Sequence, residues 1–161
     1  MRFISTIIIC GFLLICSNVF SQGIIKIKIT DLDKTIKESK GPFIVNFWAT
    51  YCIPCIEEIP YFEELSKKHG VRLLLVSLDL ESFYPNKIKS FAAKQKYQSP
   101  ISWLNEYDAD YFCPIIDSAW SGAIPASLFL NNKTGYMKFI EDQISREELE
   151  KVILVMKGKE D

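Results

Sequence analysis

The chain has 161 residues, with 19 Lys and Arg against 20 Asp and Glu, and is 48% hydrophobic and 24% charged. That is room for one compact domain with an ordinary core, and not for two. A net charge of −1 without a basic cluster lacks the electrostatic footprint of a nucleic-acid binder, because KIKI (26–29) and SKKHG (66–70) read as solvated faces balanced by nearby acids.

The first 21 residues differ from the rest. Met1 and Arg2 precede the apolar run FISTIIICGFLLICSNVF, with Val19 and Ser21 just before Gln22. A basic start, an apolar stretch and small residues read as a secretory signal cleaved after Ser21. The alternative is an uncleaved N-terminal anchor, since the run approaches the minimum spanning length of about 17 residues. Cys16 follows Ile15, which is not the small residue that a lipoprotein signal carries there. The expected organisation is therefore a leader or anchor over 1–21 and one folded domain over 22–161. Without residues 1–21 the chain loses one charge, Arg2, and stands at −2.

Strand and helix signals then alternate. GIIKIKI (23–29) has the period of a half-buried strand. DLDKTIKESK (31–40) is a short helix that Asp31 can cap. PFIVNFW (42–48) is nearly continuous in apolar residues, as a strand buried on both faces requires. A helix follows over 52–69, with Ile56, Ile59, Phe62 and Leu65 recurring and Pro60 expected to kink it. VRLLLVSLDL (71–80) reads as a second buried strand and 85–97 as a helix opened by Pro85. SPISWL is a short extended piece, and DADYFCPIIDSAW a short helix and loop. ASLFLNNKTGYMKFIE gives two strands joined around NNKTG. Ser145 and Glu148 form a capping box before an amphipathic final helix carrying Leu149, Val152, Ile153 and Met156. A β-α-β crossover, then a hairpin, then a helix predicts an α/β fold with one central mixed sheet of about five strands and some four helices around it.

Cys10 and Cys16 lie in the leader, which leaves Cys52, Cys55 and Cys113. Cys52 and Cys55 stand where the buried strand hands over to a helix. A three-residue spacing closes so small a ring that the pair makes a poor staple. The first helical turn offers free N–H groups and the positive end of the dipole, so a thiolate on Cys52 is stabilised there and its pKa falls below the roughly 8.5 of a free thiol. The thiolate is the attacking species. Cys55, one turn on, is expected to be more buried and slower, and suited to resolving a mixed disulfide. Pro54 stiffens the loop without leaving the helix start. Zinc would want four ligands, and beyond the pair only Cys113 and His69 remain. His69 reads as a surface residue near a helix C-terminus, and Cys113, flanked by apolar residues, as buried or else as the partner in a regulatory or intermolecular disulfide.

FIVNFWATYCIPC resembles the active-site strand and turn of the thioredoxin superfamily. With Asn46 in the strand and Glu58, Ile59 and Pro60 after the second cysteine, it looks most like the exported TlpA/ResA type. SGAIPASLFLNNKTG (121–135) resembles the segment in which a cis-proline precedes a core strand. The resemblance implies a thioredoxin-like fold over 22–161, with Cys52, Cys55 and Pro125 as catalytic residues and Pro125 cis. It implies that the backbone of Ile124 pairs with an extended substrate segment. Trp48, Ala49, Thr50 and Tyr51 would line the approach to Cys52, Trp48 covering the pair and Tyr51 meeting a partner. The chain departs from thioredoxins proper in carrying Asn46 where they carry a buried Asp that helps deprotonate the second cysteine. Another base, or a water, must then serve Cys55. Asp79 and Glu81 follow the next strand, where the TlpA/ResA type places such an acid. Glu58 belongs to the family pattern and can face the site, whereas Glu57 reads as solvated.

The function implied is thiol–disulfide exchange on protein substrates in the periplasm, by an exported or membrane-tethered protein acting as a reductant and fed by a membrane-embedded electron donor. No dissociable cofactor or metal is needed, because the cysteines are the redox group. Membrane contact is expected only through an uncleaved N-terminal segment. Two other readings stay open: a thiol peroxidase of peroxiredoxin type, although Thr50 stands two rather than three residues before Cys52, and a binding module whose pair merely senses redox state.

Overall fold

The computed structural model describes residues 23–158; the leader expected over 1–21 lies outside them. Among the described residues no helix is long and apolar enough to cross a membrane. The apolar run PFIVNFW forms β2 (Pro42–Trp48) at the centre of the sheet. Its side chains alternate as a strand's must: Ile44 and Trp48 enter one hydrophobic cluster, and Phe43, Val45 and Phe47 the other. β2 pairs in parallel with β3 (Arg72–Ser77) and antiparallel with β5 (Ala126–Asn131). Beyond β3 lie β4 (Ile101–Leu104) and then β1 (Ile25–Ile27), both parallel to it. β6 (Tyr136–Ile140) closes the other edge, antiparallel to β5. The order is β1-β4-β3-β2-β5-β6.

The sheet thus has six strands. ISWL, short as it is, forms β4 inside the sheet, hydrogen-bonded on both sides. Among the described residues five α-helices divide between the faces. α2 (Ile53–His69), α3 (Asn86–Gln95) and α5 (Arg146–Met156) cover the cluster that holds Trp48, and α1 (Ile29–Lys37) and α4 (Ala109–Ile116) cover the other.

Local expectations shift in detail. α1 begins two residues before Asp31, which acts from the third helical position: its carboxylate accepts the Lys28 N–H at 3.0 Å. β3 stops at Ser77 because the chain turns there, Ser77 Oγ donating to Asp79 at 2.8 Å. Pro60 lies inside α2, which runs through it as one helix. α2 ends at Gly70, whose φ of 64° is left-handed; the Val71 N–H then reaches back to the Ser66 carbonyl at 2.8 Å. α5 opens on the expected capping box, with Ser145 Oγ accepting the Glu148 N–H and Glu148 accepting the Ser145 N–H.

Candidate active site

Cys52 and Cys55 are joined as a disulfide, S–S 2.01 Å and Cα–Cα 5.3 Å. Cys52 is the N-cap of α2, with extended backbone, and its Sγ accepts the Cys55 N–H at 3.3 Å. Pro54 falls in the first turn. Cys55 is fully buried, while Cys52 retains 8% exposure beside the exposed side chains of Tyr51 and Ile53. Cys52 is thus the less buried of the two, and its sulfur sits at the first turn of α2, where free N–H groups favour negative charge.

Behind the pair lies a polar cluster inside the core. Asn46, fully buried on β2, donates from Nδ2 to Glu58 Oε1 at 2.7 Å and to Ser127 Oγ at 3.0 Å. Glu58 stands one helical turn beyond Cys55 and is also fully buried; its Oε2 accepts the Ile144 N–H at 3.3 Å. Burial drives its pKa up to about 7, against the opposing pull of the Asn46 and Ile144 hydrogen bonds, and the nearby charge of Asp142 adds to the rise. Among the described residues Asn46 Oδ1 and Trp48 Nε1 are buried without a hydrogen-bond partner.

The other carboxylates have different hydrogen-bond partners. Asp79, 4% exposed, accepts from the Thr50 N–H at 3.1 Å, from Thr50 Oγ1 at 2.6 Å and from Ser77. It fixes the turn that enters Cys52. Glu81 is exposed in a 3₁₀ turn (Glu81–Phe83) and accepts from the Tyr107 hydroxyl at 3.0 Å. Glu57 takes a hydrogen bond from Gln143 Nε2 at 3.3 Å. Trp48 is wholly buried and packs edge-on against Tyr97 at 5.5 Å, within the cluster that contains both cysteines.

The Ile124–Pro125 bond is cis and leads directly into β5, and Ile124 packs against both hydrophobic clusters at the end of the sheet. Cys113 is a free thiol, buried on α4, and burial pushes its pKa up to about 11. His69 is half-buried rather than on the surface, its Nε2 2.8 Å from Glu150 Oε1, because α5 packs across the end of α2. Ile144 carries no local signal of a role at the site. Ser127 is polar in an apolar strand, the one hint that its register opposite Asn46 matters.

A disulfide-bonded pair capping the helix that follows the central strand of a six-stranded mixed sheet is the arrangement of a thioredoxin-like fold. Residues 23–95, a little under half of the chain, match the family model described as Thioredoxin. Among curated relatives it is 28% identical over 128 residues to the thiol-disulfide oxidoreductase ResA of Bacillus cereus, covering 78% of this chain and 65% of that one. The chain therefore spans just under two thirds of the length of that relative. Among solved structures it resembles a thioredoxin-related protein from Neisseria meningitidis serogroup B, with a TM-score of 0.62 at 23% identity over 75% of this chain and 88% of that one. It also resembles StoA from Bacillus subtilis, with a TM-score of 0.52 at 26% identity over 71% of this chain and 84% of that one.

Proposed function

We propose that the chain is a thiol–disulfide oxidoreductase of the ResA type that reduces protein disulfides outside the cytoplasm. The observation that carries this is the asymmetry of the pair: Cys52, the less buried of the two, at the helix cap, and a fully buried Cys55 one turn behind it. In the reduced protein the Cys52 thiolate attacks one sulfur of a substrate disulfide, and the other substrate sulfur leaves as a thiolate that takes up a proton. Cys55, losing its proton, then attacks Cys52 Sγ. The second substrate thiol is released and the Cys52–Cys55 disulfide forms, so two electrons pass to the substrate. Glu58 is the proton partner of Cys55. It is buried one turn beyond it with a pKa near neutrality, the property a group needs to take and return a proton at pH 7. Asp79 serves instead to hold the Thr50 turn. Pro125 and Ile124 form the ledge on which an extended substrate lies, as the family resemblance implies.

No cofactor is required, since the cysteines carry the electrons. The pair is re-reduced by an external dithiol, for which a membrane-embedded donor suits a protein exported or tethered by residues 1–21. The reductant direction fits a CIPC interior without the histidine of strongly oxidising relatives. The test is insulin reduction by the purified chain with a dithiol supply. Wild type accelerates it, Cys52→Ser abolishes it, and Cys55→Ser accumulates a mixed disulfide trapped on Cys52. A reduction potential near about −270 mV supports a reductant, and one near about −120 mV reverses the direction. Two thiols that neither alkylate nor exchange in the native protein sink the proposal.

A further inference from the structure

Glu141 lies directly after β6, beside the point where β5 begins, because Ile140 pairs with Ser127. Its carboxylate is turned back onto the loop before Ile124. It accepts the Ser121 N–H at 3.0 Å, the Ala123 N–H at 3.0 Å and the Ser121 hydroxyl. The Ser121 hydroxyl and these N–H groups hold its pKa below the usual carboxylate value. Charge-assisted hydrogen bonds of this kind are about twice as strong as neutral ones. A second anchor grips the loop from another side: Trp120 Nε1 donates to the Ala123 carbonyl at 2.9 Å, and its ring lies 4.5 Å from that of Phe47 and 5.6 Å from those of Phe112 and Phe139. Between the anchors Gly122 sits beside Ala109 and Cys113 of α4 at φ 93°, a backbone conformation that favours glycine.

Both anchors end where Ile124 begins. Among the described residues no hydrogen bond engages the N–H or C=O of Ile124, although its side chain is packed. The result is a fixed but unpaired peptide edge at the reactive end of the sheet.

We propose that Glu141 is a positioning residue for polypeptide substrates: it locks the 121–123 loop so that Ile124 presents a preformed edge to an extended segment, and it sets affinity for that segment without touching the sulfur chemistry. This rests on the redox reading above. An edge held rigid in advance spares the substrate the cost of ordering it. A small disulfide, which makes no backbone pairing, gains nothing from it.

The test uses the full chain with two substrates, a disulfide-bridged peptide and the small disulfide 5,5′-dithiobis(2-nitrobenzoate). Glu141→Ala raises KM for the peptide about tenfold, the scale of one or two ordinary hydrogen bonds, and leaves its kcat and the small-disulfide rate unchanged. Glu141→Gln keeps a carbonyl acceptor and recovers part of the loss. An unchanged peptide KM in Glu141→Ala overturns the inference, as does an equal loss on both substrates. Should that variant fold poorly, Ser121→Ala, which removes only the hydroxyl donor, shows the same split at about threefold, and its absence is equally decisive. A wild-type chain that reduces neither substrate overturns the redox reading itself and takes this inference with it. A wild type active on both with a flat Glu141 response overturns the inference alone.

Discussion

Glu58 is an acid placed where water does not reach, and its stability contribution has an unusual sign. Its pKa moves from 4.5 to about 7 because burial disfavours the charged form. The folded state therefore binds more protons than the unfolded state between those values, and linkage makes stability fall as pH rises through that window. The full difference is about 3 kcal/mol, present below pH 4.5 and lost above pH 7. Urea unfolding of the oxidised protein should show that decline from pH 4.5 to 7.5. Glu58→Gln, neutral at every pH, should remove most of it and should also flatten the pH profile of disulfide reduction near neutrality. A decline that survives in Glu58→Gln would assign the linkage to another group.

Elements differ in how plainly they are written into the chain. PFIVNFW announces β2 by composition, and Ser145 with Glu148 announces the start of α5, because each signal is local. β4 is only four residues long, and its interior place comes from pairing with β1 and β3 far away in sequence. The site divides in the same way. The cysteine pair is legible as chemistry and spacing. The Asn46–Glu58 contact spans the strand-to-helix turn and needs the fold to close it, and Glu141 meets Ser121 only through the β5–β6 register. Helix α2 offers a direct test at its C-terminus. Gly70 holds φ 64° with open space where a Cβ would go, so Gly70→Ala pays only the backbone penalty of the left-handed region, about 1 kcal/mol. The expected result is that loss in chemical unfolding with an unchanged rate of disulfide reduction. A changed rate would mean that the helix end communicates with its cysteine-bearing start.

At the scale of the molecule the near-neutral charge is unevenly spread. Glu81, Asp108, Asp110, Glu141 and Asp142, four of them exposed, follow the ends of β3, β4 and β6 on the side of the sheet that bears the cysteines, and Lys28 nearby is taken up by Glu106 at 3.5 Å. A cationic disulfide peptide should therefore be reduced several-fold faster than an anionic one of equal length at low salt. The gap should narrow as ionic strength shortens the Debye length from roughly 30 Å at 0.01 M to about 8 Å at 0.15 M. A salt-independent ratio would show that these acids do not steer encounter.

The side-chain amide of Asn46 has a second orientation available to it. Its nitrogen suits an ionised Glu58, which can only accept, whereas a protonated Glu58 carries an O–H that prefers the amide oxygen. Ser127, a hydroxyl able to give or receive, tolerates either arrangement. Rotating that one amide by half a turn would register the loss or gain of a single proton behind the cysteines. The strand bearing Ser127, which follows directly on Pro125, would sense it through a flip rather than a shift of the backbone.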